Sequence, residues 1–190
     1  MTDTAVAYDF DRSKLAFEFD VERLQQETLN IISQFPPYIY YNVVPLTVPQ
    51  GHNKESKDYA DPNWTNWLET SHLKNSPYFQ EVLNSLECQV TNVRLMRLEP
   101  GAEVREHTDP QLDLGLRNQV RLHVPIFISD EVEFWLNNKV VPLKAGEMWY
   151  MRLSDPHRVL NQWSFERIQL SIDVVFNDWI EQRILEGAKE

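Results

Sequence analysis

The chain has 190 residues, 42% of them hydrophobic and 12% aromatic, enough for one well-buried core and too few for two of similar size. Lys and Arg total 18 against 29 for Asp and Glu, and the net charge of −11 argues against a phosphate backbone as partner. Cys88 is the only cysteine, so no intrachain disulfide is possible, and neither a signal-peptide pattern nor a bilayer-length apolar run is evident; a reduced, cytoplasmic setting is expected.

Leu15 to Phe19 has the content of a short strand. Val21 to Gln34 carries Leu24, Leu29, Ile31 and Ile32 among polar residues, a helical stripe with Asp20 as N-cap and Pro36-Pro37 as its stop. Tyr38 to Val48 reads as one strand. The polar segment from Pro49 to Pro62 reads as a loop, either a lid near a ligand mouth or a plain connector. Phe79, Val82, Leu83 and Leu86 share one face of a helix over 77–86. From residue 87 onward, short apolar runs alternate with turn signals every eight to twelve residues, giving strands at 89–98, 103–107, 119–128, 131–136, 139–143, 147–151, 157–162 and 167–175. Eight strands are what a jelly roll needs, and a short helix follows over 177–190. The expected fold is mainly β with flanking α. One domain spans 1–190: support and a possible lid in 1–88, the barrel in 89–176, the terminal helix in 177–190.

The chemistry gathers in NVRLMRLEPGAEVREHTDP, which ends on His107, Thr108, Asp109 and Pro110. Strand side chains at i and i+2 project the same way, so His107 and Asp109 can grip one ion together. His157 follows a Ser-Asp-Pro turn and a barrel can return it to that pair. Two histidines and a carboxylate form a facial-triad candidate of the kind used by non-haem Fe(II) oxygenases. His52 and His72 read as exposed or structural. In RIQLSIDVVF the residues Arg167, Gln169, Ser171 and Asp173 alternate with apolar ones, and inside a barrel this polar face would point into the cavity and make Arg167 available to a carboxylate. Arg121 and His123 share a face in the same way. Such cations need an acidic partner or an anionic ligand.

The order His107-Thr108-Asp109-Pro110, Arg121-Leu122-His123, Gly146, Asp155-Pro156-His157 and Arg167 resembles the aspartyl/asparaginyl β-hydroxylase family of Fe(II)/2-oxoglutarate-dependent dioxygenases. The resemblance covers roughly 89–176 and implies a double-stranded β-helix of the cupin type with His107, Asp109 and His157 on iron. It further implies Arg167 on the distal carboxylate of 2-oxoglutarate, Arg121 and His123 lining the cosubstrate pocket, and O₂ as co-reactant. Asp109 makes the metal site similar to that of bacterial cis-proline hydroxylases and favours hydroxylation over halogenation. Those enzymes carry a C-terminal helical region that this chain lacks, so their substrate does not carry over. Where the family has a Ser beside the cosubstrate Arg, spacing puts Met96 here, which leaves Ser171 or Tyr150 to supply that hydrogen bond.

The expected activity is hydroxylation of an unactivated C–H bond in an amino acid, free, in a small peptide or carrier-bound, with 2-oxoglutarate decarboxylated to succinate and CO₂. The alternatives are a hydroxylase of Asp, Asn or another residue within a protein, and a non-catalytic module binding a metal or organic acid. Candidate substrate contacts are Arg97, Arg117, Arg152, Arg158, Trp149 and Trp163, each of which reads equally as an ion-pair or packing residue. Cys88 reads as a small buried apolar residue.

Overall fold

The computed structural model describes residues 6–51 and 66–189. The support region comprises β1 (Arg12–Glu18), α1 (Val21–Ile32), β2 (Tyr41–Pro45), β3 (Thr47–Pro49), β4 (Trp67–Glu69), α2 (Ser71–Lys74) and α3 (Pro77–Asn84). The strands β5 (Val90–Leu98), β6 (Glu103–His107), β7 (Gln119–Phe127), β8 (Val132–Leu136), β9 (Lys139–Val141), β10 (Glu147–Met151), β11 (His157–Asn161) and β12 (Arg167–Val175) follow, then α4 (Asp178–Gly187). All eight anticipated barrel strands form, most with their ends trimmed by a residue or two.

They wind alternately between two antiparallel sheets. One has six strands in the order β1-β10-β7-β12-β5-β2, the other four in the order β6-β11-β8-β9. This is the double-stranded β-helix, widened at both edges of its larger sheet by β1 and β2. Turn chemistry sets the corners: Asn137 and Asn138 both adopt positive φ (50° and 59°) between β8 and β9, and Gly101 and Gly146 do so at 75° and 81°.

The alternation in β12 resolves into two buried faces. Ile168, Leu170, Ile172 and Val174 join a core between the larger sheet and the helices α1, α3 and α4, together with Leu24, Phe79 and Ile184. Arg167, Gln169, Ser171 and Asp173 point the other way and are also buried, into the barrel. A second apolar cluster, including Leu98, Phe134, Leu136, Trp149, Met151 and Val159, fills the space between the sheets. A strand buried on both faces cannot send its polar side to solvent, so the inward polar residues must partner one another or a ligand.

Three local expectations are corrected. The single strand over 38–48 is two strands, because at Leu46 the chain leaves the larger sheet. The Leu46 N–H still donates to Val93 O (2.8 Å), but Thr47 Oγ1 then replaces the backbone as acceptor for Val93 N–H (2.8 Å), freeing Thr47–Pro49 to pair with β4. Leu29 is 43% exposed rather than on the buried stripe of α1, whose inner face is Leu24, Thr28 and Ile31. Thr28 fits there because its Oγ1 donates to Leu24 O (2.8 Å). The strand β4 and the one-turn helix α2, capped by Thr70, were not anticipated. Asp20 does cap α1, accepting from Arg23 N–H (3.1 Å). The loop expected over 49–62, and His52 with it, lies outside the described residues beyond Gly51.

Candidate metal centre

β11 runs antiparallel to β6 and sets His157 directly opposite His107. Their rings meet with centroids 4.2 Å apart, and Phe134 lies nearly parallel to His157 (5°) at 6.0 Å. The strand β6 ends at His107, and Asp109 just beyond it leaves the strand conformation (φ −116°, ψ 79°) but is held in place by its N–H, which donates to Leu153 O (2.7 Å). The outcome is that one ligand atom from each of His107, Asp109 and His157 lies within 4.8 Å of the others.

The histidine tautomers follow from their partners. His107 Nδ1 is 2.8 Å from Arg105 O and His157 Nδ1 is 3.0 Å from Asp155 O. A carbonyl only accepts, so each Nδ1 carries the proton and each Nε2 keeps its lone pair for a metal. Burial holds the His157 pKa below its ordinary value, with the nearby His107 adding to the effect, which favours the neutral ligating form. The loop over 152–156 unites the site, since Leu153 O holds Asp109 and Asp155 O holds His157. The Asp155 carboxylate in turn accepts from Arg152 Nε (2.8 Å) and Asn137 Nδ2 (2.7 Å), and Arg152 Nη1 donates to Tyr8 O and Phe10 O. The segment before β1 therefore braces the loop from outside.

Beside the three ligands lies a cavity of about 250 Å³. Its polar wall is Arg121, His123 and Gln169. Tyr40 and Tyr41 stand on another side, and Met96, Val104, Phe134, Leu153 and Val159 make the apolar remainder. Arg121 is fully engaged: Nε and Nη2 form a fork on Asp173 (2.6 and 2.9 Å) and Nη1 lies 3.7 Å from Asp109. Burial opposes its charge, but Asp173 outweighs burial and raises its pKa. Arg94 shares Asp173 at 3.5 Å.

Arg167 is different. It is 3% exposed, its Nε has no partner, and among the described residues no carboxylate pairs with it; Nη2 donates only to Gln169 Oε1. Burial alone pulls its pKa down to about 10. A buried guanidinium so placed fits an anionic ligand, and the donor set of two free Nε2 atoms and a carboxylate fits a divalent metal with positions left open.

Ser171 also faces inward, opposite His123, with its Oγ unpartnered, although it does not reach the cavity wall. Tyr150 faces the opposite layer, packed edge-on against Phe10 in the helix-side core, so it cannot serve a ligand in the barrel. None of the six suggested substrate contacts lines the cavity. Arg97 forks onto Glu166 (2.8 and 3.0 Å), Arg117 pairs with Glu181, Arg152 holds the loop described above, and Arg158 lies over the Trp135 ring. Trp149 donates to Glu147 and Trp163 packs against Phe165. His72 packs at a tilt against Phe35 (5.2 Å, 46°), and the Cys88 thiol is pushed up to about 11 by burial, which fits an unreactive role. Tyr41 was missed as a cavity residue, whereas Gln169 lines the cavity as the inward alternation of β12 implies, with a role the sequence did not assign.

Residues 47–176 match the profile of the aspartyl/asparaginyl β-hydroxylase family. L-proline cis-3-hydroxylase 1 of a Streptomyces species is 24% identical over 149 residues, covering 76% of this chain and 50% of that protein. The chain thus spans about half the length of this curated relative. Among solved structures, a 2OG-Fe(II) oxygenase-family oxidoreductase from Burkholderia pseudomallei superposes with a TM-score of 0.53 at 12% identity, covering 83% of this chain and 79% of its own. A viral collagen prolyl hydroxylase from Paramecium bursaria Chlorella virus-1, solved with 2OG, gives 0.51 at 16% identity over 87% and 96%. Both share the fold described above.

Proposed function

Because this chain belongs to the aspartyl/asparaginyl β-hydroxylase family, we propose that it is an Fe(II)- and 2-oxoglutarate-dependent dioxygenase that hydroxylates a C–H bond of an amino acid or a small derivative. The observation that carries this reading is the convergence of His107, Asp109 and His157 on a cavity whose lining residue Gln169 holds a buried cation, Arg167, that no acidic group answers among the described residues. When bound, iron with 2-oxoglutarate and O₂ supplies the oxidation: one oxygen atom enters the C–H bond, the other enters succinate, and CO₂ leaves.

The chain's own residues do the positioning. His107 and His157 offer Nε2 and Asp109 a carboxylate oxygen from one side, leaving the cavity side of a metal open. Arg167, held by the cavity residue Gln169, would take the distal carboxylate of 2-oxoglutarate, and Arg121 and His123 line the cavity. Arg121 Nη1 also lies 3.7 Å from Asp109 and helps to align its carboxylate. The apolar wall of Phe134, Leu153 and Val159 keeps bulk water from the reacting face.

A small substrate is supported by the cavity, whose 250 Å³ suits an amino acid, and by the kinship to a proline hydroxylase. The absence of disulfides fits a reduced, cytoplasmic setting. Incubation with Fe(II), ascorbate and 2-oxoglutarate against pooled L-amino acids should give a product heavier by one oxygen atom, detected by mass. His107→Ala and His157→Ala should abolish it. A wild-type protein that binds neither iron nor 2-oxoglutarate would sink the proposal.

A further inference from the structure

Gln169 sits between two of the residues assigned above to the cosubstrate, and its carboxamide touches both. Its Oε1 accepts from Arg167 Nη2, and its Nε2 lies 3.0 Å from His123 Nδ1, with the Met96 sulfur at 3.7 Å from the same nitrogen. All of these side chains except Met96 are at most 3% exposed, so water does not compete for them.

The chemistry of the groups leaves one arrangement. A guanidinium has only donors, so the oxygen of the carboxamide must face Arg167. The NH₂ of Gln169 then faces His123. An NH₂ only donates, so His123 Nδ1 must be a bare acceptor, and in the neutral ring the proton must sit on Nε2. His123 is a cavity-lining residue, and its Nε2 is buried with no hydrogen-bond partner among the described residues. The ring is held neutral because burial, and after it Arg121 and Arg167, drive its pKa well below the ordinary value. This is the opposite tautomer to that of His107 and His157, whose Nδ1 atoms carry the proton.

We propose that Gln169 is a positioning residue: by bridging Arg167 and His123 it locks His123 as the Nε2–H tautomer and holds the Arg167 fork, so that both present donors to one acidic ligand in the cavity. The acceptor this layout selects is a carboxylate, and the inference rests on the reading of 2-oxoglutarate as cosubstrate. Leu, Met or Glu at 169 would fill similar space but could not make both contacts. Glu is the most telling, because its carboxylate can accept from Arg167 and from a ring N–H but cannot donate to Nδ1. In Gln169→Glu the His123 proton should move to Nδ1, turning Nε2 into an acceptor that repels a carboxylate.

The test uses full-length protein loaded with Zn(II), which is diamagnetic, and ¹⁵N-labelled histidine. Long-range ¹H–¹⁵N spectra report each ring's tautomer, and calorimetry reports 2-oxoglutarate affinity. The wild type should show His123 as Nε2–H, distinct from two Nδ1–H ligand rings. Gln169→Glu should switch His123 to Nδ1–H and weaken 2-oxoglutarate by roughly 10- to 100-fold, the scale of a hydrogen bond to a charged group. Gln169→Leu should give a mixture of tautomers and an intermediate loss. The inference is overturned if wild-type His123 carries its proton on Nδ1 or is doubly protonated, a result that needs no variant to fold. It is also overturned if Gln169→Glu switches the tautomer and leaves affinity unchanged. Should the wild type show the Nε2–H ring yet bind no 2-oxoglutarate, the lock stands and the cosubstrate assignment falls.

Discussion

Asp173 neutralises more of the barrel interior than any other single side chain, because two buried guanidinium groups depend on it. Arg121 forks onto it and Arg94 reaches it from the neighbouring strand. Removing its charge would leave Arg94 without its carboxylate partner and Arg121 with only Asp109 at 3.7 Å, so Asp173→Asn should cost about 3–5 kcal/mol of stability, read as a lowered urea midpoint. His123 gives a pH signature. Its folded pKa lies well below 6.5, so below about pH 6.5 the unfolded chain takes up a proton that the folded chain refuses. Its contribution is therefore complete above that pH and is lost as the pH falls. Metal-free protein should be less stable at about pH 5.5 than at about pH 7.5, and His123→Asn should flatten that slope, leaving the smaller part due to His157, which shifts the same way. At this scale the convergence of His107, Asp109 and His157 was legible, because residue type and spacing on adjacent strands survive in sequence. Gln169 was legible only as part of the inward face of β12; its bridge between Arg167 and His123 was not, since that contact depends on a neighbouring strand. The arginine and tryptophan candidates failed for a related reason: pairing with Glu166, Glu181 or Asp155 depends on neighbours brought from elsewhere in the chain.

Among the elements, the loop over 152–156 links the ligands, and its geometry depends on Asp155. Asp155→Ala would remove the acceptor for Arg152 and Asn137 while leaving all three ligands in the sequence. Metal affinity should fall about 10- to 100-fold with little change in overall stability, measured by competition with a chelating dye. Gly146 makes a different kind of corner. Its φ is +81°, and a Cβ there would stand 2.6 Å from Phe19 O, on the segment whose N–H it already accepts (2.9 Å). Gly146→Ala should destabilise the fold by roughly 1–3 kcal/mol through strain and the forced displacement of that segment. Turn residues such as these made the barrel strands readable in order. The break at Leu46 was passed over because Tyr38 to Val48 is rich in Tyr and Val, although Pro45 stands just before it; what divides the segment is a hydroxyl, Thr47 Oγ1, substituting for a backbone acceptor. β4 and α2 are too short for periodicity to show.

Across the molecule, the larger sheet divides two environments. Its outer face is apolar and covered by α1, α3 and α4, while its inner face supplies Arg94, Arg121, His123, Arg167, Gln169 and Asp173. The smaller sheet supplies His107 and His157 and, with Phe134 and Val159, an apolar wall opposite. His107 and His157 on one sheet and the cations on the other are thus held facing across the barrel interior by two rigid surfaces, which is what the proposed function requires. The two-sheet architecture could be read from eight strands with regular turns; the covering of one face by N-terminal helices followed from their apolar stripes. Among the described residues no helix is long and apolar enough to cross a membrane. The most direct test of the whole is iron-dependent consumption of 2-oxoglutarate by the purified chain, with succinate measured alongside. Wild-type protein should form succinate only when Fe(II) is present, and His107→Ala and Arg167→Ala should each abolish or nearly abolish it while remaining folded. Folded, iron-supplied wild-type protein that leaves 2-oxoglutarate untouched, with or without pooled amino acids, would contradict the assignment of this site as an oxygenase centre.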